Sequence, residues 1–170
     1  MAITSLAEAL SEMAEVAEQY CSLIDRALQT PADTLEQLFL LMPRLHAAVT
    51  ALNGYDVGDI PPHEVDMDER FEVYSHLRRL LGKRDSYWLE FDAAPEEMHM
   101  SGSLADDLTD IYFDLRYGLE LMDDIRPQRA AQAFQSTYRL HWGQHLVDAE
   151  RHLYALKVRD QLAGNRVGVD

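Results

Sequence analysis

A single cysteine, Cys21, stands among 170 residues, so no intrachain disulfide can form and none points to an oxidising compartment. With only 8 Gly and 6 Pro, the chain is not a low-complexity polymer. No window approaches eighteen uncharged apolar residues, which argues against a membrane-spanning helix. The stretch from Met1 to Glu8 lacks the basic start and apolar run of a secretory signal. Basic residues are scarce as well: 15 Lys and Arg face 30 Asp and Glu, for a net charge of −15. Nucleic acid and anionic membrane surfaces both need clustered cations, so neither is an expected partner. The expectation is a soluble cytoplasmic protein whose surplus acid forms a solvated surface. There is no Gly-rich phosphate loop, no G-x-S-x-G elbow and no Cys–His pair in a catalytic context.

What is present is helical periodicity. The length suits one domain spanning 1–170, with a core from about 5 to 160. Ser5 and Glu8 form a capping box ahead of Leu6, Leu10, Met13, Ala17, Tyr20, Ile24 and Leu28, which recur every three or four residues. Cys21 falls on that stripe as a small hydrophobe. Asp33 or Thr34 caps a second helix with Leu35, Leu38, Phe39, Met42, Leu45 and Val49 on its stripe; Pro43 removes a backbone donor and bends it. His46 on this stripe reads as a structural, hydrogen-bonded histidine. After a Gly-, Asp- and Pro-rich loop over 53–66, a third helix covers Met67 to Leu81, with Phe71, Tyr74, Leu77, Leu80 and Leu81 apolar, and Gly82 stops it. The segment Ser86 to Phe91 is aromatic and partly alternating. As an isolated strand it cannot make a sheet, so it reads as an irregular strap over 86–100 that closes one end of the core.

Ser103 caps a fourth helix that is apolar on two sides: Leu104, Leu108, Ile111, Leu115, Leu119 and Met122 on one, Phe113, Tyr117 and Leu121 on another. Such a helix is central, or lies at a subunit contact, which makes the Phe113, Tyr117 and Leu121 side the candidate homodimer face. A final helix runs from Pro127 to Leu162 on a stripe of Ala131, Phe134, Tyr138, Trp142, Leu146, Ala149, Leu153 and Leu156. The whole reads as an all-α bundle of five or six helices.

Two polar sets stand out. His141 and His145 lie one turn apart in His141-Trp142-Gly143-Gln144-His145, and with Asp148 and His152 they form a polar seam beside the core. Asp106, Asp110 and Asp114 recur every four residues, where like charges repel unless a cation or donor relieves them. Three readings compete for the pair. The first is a hydrogen-bonded seam without a ligand, with capping and a solvated acidic face. The second is a pocket for a small polar or anionic ligand formed by Asp106, Asp110, His141, Trp142 and His145, with the Trp142 indole as a donor and the indole ring packed beneath the imidazoles. The third is a divalent-metal site drawn from Asp107, Asp110, Asp114, His141 and His145, which would make a metal-dependent hydrolase the alternative to a ligand-binding or protein-interaction module. No other cofactor is expected. H-x-x-x-H without the Glu of H-E-x-x-H is a weak metal signal, and the Glu-x-x-His pairs of di-metal bundles are absent. Asp106-Asp107-Leu108-Thr109-Asp110 and Glu120-Leu121-Met122-Asp123 look like the acidic motifs of all-α nucleotide pyrophosphatases. Here, however, both sets fall on one helix and face apart.

Three longer motifs carry a family resemblance. Leu41-Met42-Pro43-Arg44-Leu45, Ser101 through Tyr112, and His141 through Leu146 resemble a bacterial family known as domain of unknown function 5063, over about residues 10 to 156. The resemblance implies an all-helical single domain with no assigned activity. Its two signature motifs match the Asp106/Asp110 set and the His141/Trp142/His145 set, which favours them as the site. The segment around Tyr87 and Trp88 matches more loosely.

Overall fold

The computed structural model describes residues 5–29, 33–52, 54, 60, 63–89, 100–123 and 126–163. Its helices are α1 (Leu6–Ala27), α2 (Thr34–Ala51), α3 (Met67–Leu81), α4 (Leu104–Glu120), α5 (Pro127–Thr137) and α6 (Gly143–Val158). The fold is all-α apart from a ribbon of β1 (Ser86–Leu89) and β2 (Met100–Ser103). No helix among the described residues is long and apolar enough to cross a membrane.

Local chemistry explains most boundaries. Both halves of the Ser5–Glu8 capping box are present, so two free N–H groups at the start of α1 are satisfied reciprocally. Asp33 occupies the cap position of α2, but in a left-handed conformation and without a side-chain cap bond. Asp66 caps α3 through bonds from the Asp68 and Glu69 amides, and Ser103 caps α4 from the Asp106 amide. α2 continues through Pro43.

α4 is the central element. It packs on α1, α3, α5 and α6, and 13 of its 17 residues are buried. Around it Met13, Tyr20 and Ile24 of α1, Leu38, Met42 and Leu45 of α2, Phe134 of α5, and Trp142 form the core. Each such side chain contributes about 1.5–3 kcal/mol on burial. The Tyr20 hydroxyl reaches the Leu108 carbonyl at 2.8 Å, a buried tie between α1 and α4. Cys21 is buried, and its thiol is pushed up to about 12 by burial and then by the nearby Asp25 charge.

Three sequence expectations are corrected. The strap does make a sheet: Tyr87 pairs with Gly102 and Trp88 with Ser101, because the segment just before α4 is itself extended. A β-carbon on Gly102 would occupy the space of the Tyr87 ring, so the close approach of the two strands depends on that glycine. The long last helix is interrupted by a π-helical turn, Tyr138–Trp142, between α5 and α6. Phe71 is 66% exposed, since α3 turns Val73, Leu77 and Leu81 inward instead. Phe113 and Tyr117 are buried within the chain and Leu121 packs against the same core, so of the two readings of a helix apolar on two sides, burial in one chain favours the central one.

The π-turn depends on Gly143, whose N–H donates to the Tyr138 carbonyl. A β-carbon there would collide with that same oxygen. Gly143→Ala is expected to destabilise the fold by about 1–3 kcal/mol in urea titrations, the cost of forcing a packed segment to shift. An unchanged midpoint would show that the turn tolerates a side chain.

Candidate metal site between α4 and the π-turn

The pattern that matters on α4 is Asp107, Asp110 and Asp114. At 100° per residue they lie within about 60° of one another, beside the apolar stripe rather than opposite it. Their side chains are only 6%, 11% and 6% exposed. A buried carboxylate must be paired or it destabilises the fold, and each has a partner. The His145 ring bridges two of them: Nδ1 is 2.8 Å from Asp107 Oδ1 and Nε2 is 3.2 Å from Asp110 Oδ2. His141 repeats the arrangement, with Nδ1 2.6 Å from Asp114 Oδ2 and Nε2 3.8 Å from Asp110 Oδ2. The two rings meet edge to face at 5.1 Å. The separation of Asp110 from His145 is thus that of direct partners.

Other residues hold the carboxylates in place. Arg70 of α3 donates from Nε to Asp110 Oδ1 at 2.9 Å and from Nη2 to Asp106 Oδ1 at 2.8 Å. The Tyr87 hydroxyl donates to Asp107 Oδ2 at 2.5 Å, and burial, followed by the bond to Asp107, pushes that phenol well above its ordinary range. His63 stacks on Tyr117 at 4.4 Å, and its Nε2 lies 3.7 Å from Asp114 Oδ1. Sequence reasoning passed over Arg70, Tyr87 and His63 as site residues. Arg70 carried one readable signal, as the one cation in the acidic first half of α3. The others reach the site through loop and ribbon geometry that periodicity does not encode.

Two proposed members fall away from the cluster. Asp106 pairs with Arg70, and its side chain is 44% exposed. It serves the first turn of α4 and meets Arg70 rather than an imidazole. Trp142 is fully buried and gives its indole N–H to Thr137 Oγ1 at 3.0 Å, so it packs in the core and has no donor to offer a ligand. The polar seam also divides. Asp148 accepts from Gln144, and His152 bonds the Arg84 carbonyl beside the Tyr87 ring. His46 bonds Glu150 and the Tyr138 hydroxyl, tying α2 to the π-turn as a structural histidine.

Electrostatics follow from this geometry. Burial raises Asp107, although the His145 and Tyr87 hydrogen bonds oppose it. Burial likewise raises Asp114 against its bond from His141. For His145, burial disfavours the charge, but the Asp107 hydrogen bond and the fields of Asp110, Asp107 and Asp106 outweigh it, so its affinity for a proton rises. Asp110, His141 and His145 each present one ligand atom, and these atoms lie within 4.8 Å of one another.

An all-α bundle with two histidines and an aspartate grouped so that they could hold a metal ion is the class that fold and site define. The chain belongs to the family described as Domain of unknown function (DUF5063), which matches residues 4–159. In fold it is similar to protein BF1032 from Bacteroides fragilis: its crystal structure matches with a TM-score of 0.69 at 20% identity, over 88% of this chain and 92% of that one. That likeness concerns the fold alone. No curated protein matches the chain.

The raised groups give a pH prediction for metal-free protein. A group that binds protons more tightly when folded contributes stability below its unfolded value and loses it as pH rises through the folded one. His145 and Asp107 are both raised, from 6.5 and 3.8 respectively. Melting temperature in chelator should therefore fall between about pH 4 and pH 8, and His145→Gln should flatten the upper part of that fall. A wild-type profile that rises with pH over this range would refute the assignment.

Proposed function

We propose that the chain is a helical metal-binding module in which Asp110 Oδ2, His141 Nε2 and His145 Nε2 hold one divalent transition-metal ion. The observation that carries this reading is the orientation of the two imidazoles. Both turn Nδ1 to a buried carboxylate, and an ionised carboxylate can only accept, so both Nδ1 atoms carry a hydrogen. Both Nε2 atoms then converge on the one Asp110 oxygen that Arg70 does not use. A carboxylate behind the remote nitrogen of a metal-binding histidine is the usual way such a ring is oriented and made more basic. Two ligands on a first-row ion are separated by about 3 to 3.5 Å; the 3.2 Å at His145 fits, while the 3.8 Å at His141 and the span of the three atoms, within 4.8 Å of one another, must close on binding.

Charge supports the same reading. With neutral imidazoles, Arg70 is the one cation among the described residues that is paired with the four acids Asp106, Asp107, Asp110 and Asp114, through Asp106 and Asp110. That surplus of negative charge favours a cation and repels the anionic ligand that the sequence also allowed. Imidazole donors favour Zn²⁺ or Fe²⁺ over Mg²⁺ and Ca²⁺, and the carboxylate also suits Mn²⁺. A metal-dependent hydrolase is the second reading, because three protein ligands leave a position for water and the half-exposed His141 lies on the solvent side. We place the module in the cytoplasm, where a buried, unpaired Cys21 is unremarkable.

Elemental analysis of protein purified without an affinity tag tests the proposal. One equivalent of Zn, Fe or Mn is expected, with binding weakened at least about 100-fold in His145→Ala and about 10- to 100-fold in Asp107→Asn. Metal-free wild-type protein that also takes up no Zn²⁺ on titration would overturn it. Metal uptake without turnover of ester or phosphoester substrates would leave the binding module and remove the hydrolase.

A further inference from the structure

α6 carries two rows of residues. Leu146, Ala149, Leu153 and Leu156 turn inward and serve the core. On the other side of the helix Gln144, Val147, Arg151, Tyr154 and Val158 follow one another at steps of three and four, the spacing of a coiled-coil seam. At 100° per residue these five stay within about 80° of one another. Val147, Tyr154 and Val158 are all exposed. Single exposed apolar side chains are ordinary on a protein surface, but a row of them in phase along one helix marks a contact surface. The exposed Trp88 of the ribbon adjoins this row, because Arg151 Nη2 donates to its carbonyl at 3.1 Å.

Charge indicates what covers the row. The whole chain has a net charge of −15, yet from Gly143 to Leu162 the acids Asp148, Glu150 and Asp160 are matched by Arg151, Lys157 and Arg159. Copies of so acidic a protein repel one another, and the repulsion is least where the surface is neutral. The row is also complementary to itself when reversed. Val147 and Val158 lie equally far from the midpoint between His152 and Leu153, and so do Arg151 and Tyr154. Two copies of α6 set antiparallel about that midpoint bring Val147 onto Val158 and the Arg151 guanidinium onto the Tyr154 ring, a cation–π pair. Glu150 bonds His46 of α2 and Lys157 lies over Phe39 of α2, so both stand on the same flank of the row. A two-fold axis brings like flanks together, which sets Glu150 of one copy beside Lys157 of the other.

We propose that the outer row of α6 is the interface of a homodimer in which two copies pack antiparallel about a two-fold axis. Val147 meets Val158 of the second copy, Arg151 meets Tyr154, and Glu150 pairs with Lys157. Such a contact buries the same patch on both copies and closes on itself, so it needs no second kind of partner. One pair of helices with a Trp88 ring at either side makes a small interface, under about 1,200 Å², and monomer and dimer therefore exchange. His145 leaves α6 toward α4, away from this row, so association does not depend on metal.

Sedimentation equilibrium of the full-length chain, joined to cysteine cross-linking, tests the proposal. Half of the protein should be dimeric at or below about 0.1 mM, and Tyr154→Asp should weaken association at least about tenfold. Tyr154 is exposed, so this variant should melt with the wild type. Cross-linking reads the register. In two antiparallel copies the Val147 positions stand about 16 Å apart, too far for a disulfide, whereas Val147 adjoins Val158 of the second copy. The buried Cys21 takes no part. Under mild oxidation Val147→Cys alone and Val158→Cys alone should remain monomeric on a denaturing gel, and the variant carrying both should run as a linked dimer. Linkage in either single variant, no linkage in the double one, or a dimer indifferent to Tyr154→Asp would overturn the proposal by placing the contact elsewhere. Wild-type protein that stays monomeric at about 1 mM would also overturn it, leaving the row to a segment of this chain outside the described residues or to a different protein.

Discussion

Three buried carboxylates on the central helix, bonded to two imidazoles, one from the π-turn and one from α6, are the constraint around which the rest is arranged. A charge in a protein interior is tolerated only with partners, and removing one partner of such a pair costs about 3–5 kcal/mol. Asp107, Asp110 and Asp114 meet that demand with His145, His141, Arg70 and Tyr87, drawn from four separate segments of the chain. The same bonds that make the acids tolerable therefore hold α3, the ribbon and the π-turn against α4. Site and tertiary structure share their interactions, so a change at either is felt at both.

The π-turn and the ribbon look like minor irregularities, yet both serve the cluster. The wider turn at Tyr138–Trp142 lets His141 and His145 address successive aspartates while Trp142 stays fully in the core. Such turns recur at functional positions because they change the phase of side chains without ending a helix. The Glu150–His46–Tyr138 bonds tie the start of this turn to α2. The ribbon brings the Tyr87 hydroxyl to Asp107, and Gly102 provides the space for its ring.

Much of the helical framework was legible in the chain because amphipathic spacing and caps are local. The Ser5–Glu8 box, the Met67–Leu81 helix and the Ser103 cap appear where the residues place them. The meeting of the aspartates with His141 and His145 was legible too, since both sets flank apolar stripes that must face the same core. Which aspartates took part was less so. Spacing by four favoured Asp106, whereas burial chose Asp107, and only the packing angle between helices decides that. The π-turn was hidden because one inserted residue leaves the apolar stripe nearly continuous. The ribbon was hidden because its second strand, ending in Ser101-Gly102-Ser103, has little β-forming character of its own. Phe71 was read as core from its type, although α3 had other apolar residues for that purpose.

The cluster has two self-consistent states. In one, protons sit on the imidazoles and bridge the carboxylates; in the other, an ion replaces the protons facing Asp110. Anomalous diffraction from crystals grown with Zn²⁺, collected on both sides of the zinc edge, distinguishes them directly. The metal-binding account predicts one strong peak about 2.0–2.2 Å from Asp110 Oδ2, His141 Nε2 and His145 Nε2, with both Nδ1 atoms still on Asp114 and Asp107. An empty position there, with His145 still bridging Asp107 and Asp110, would contradict it.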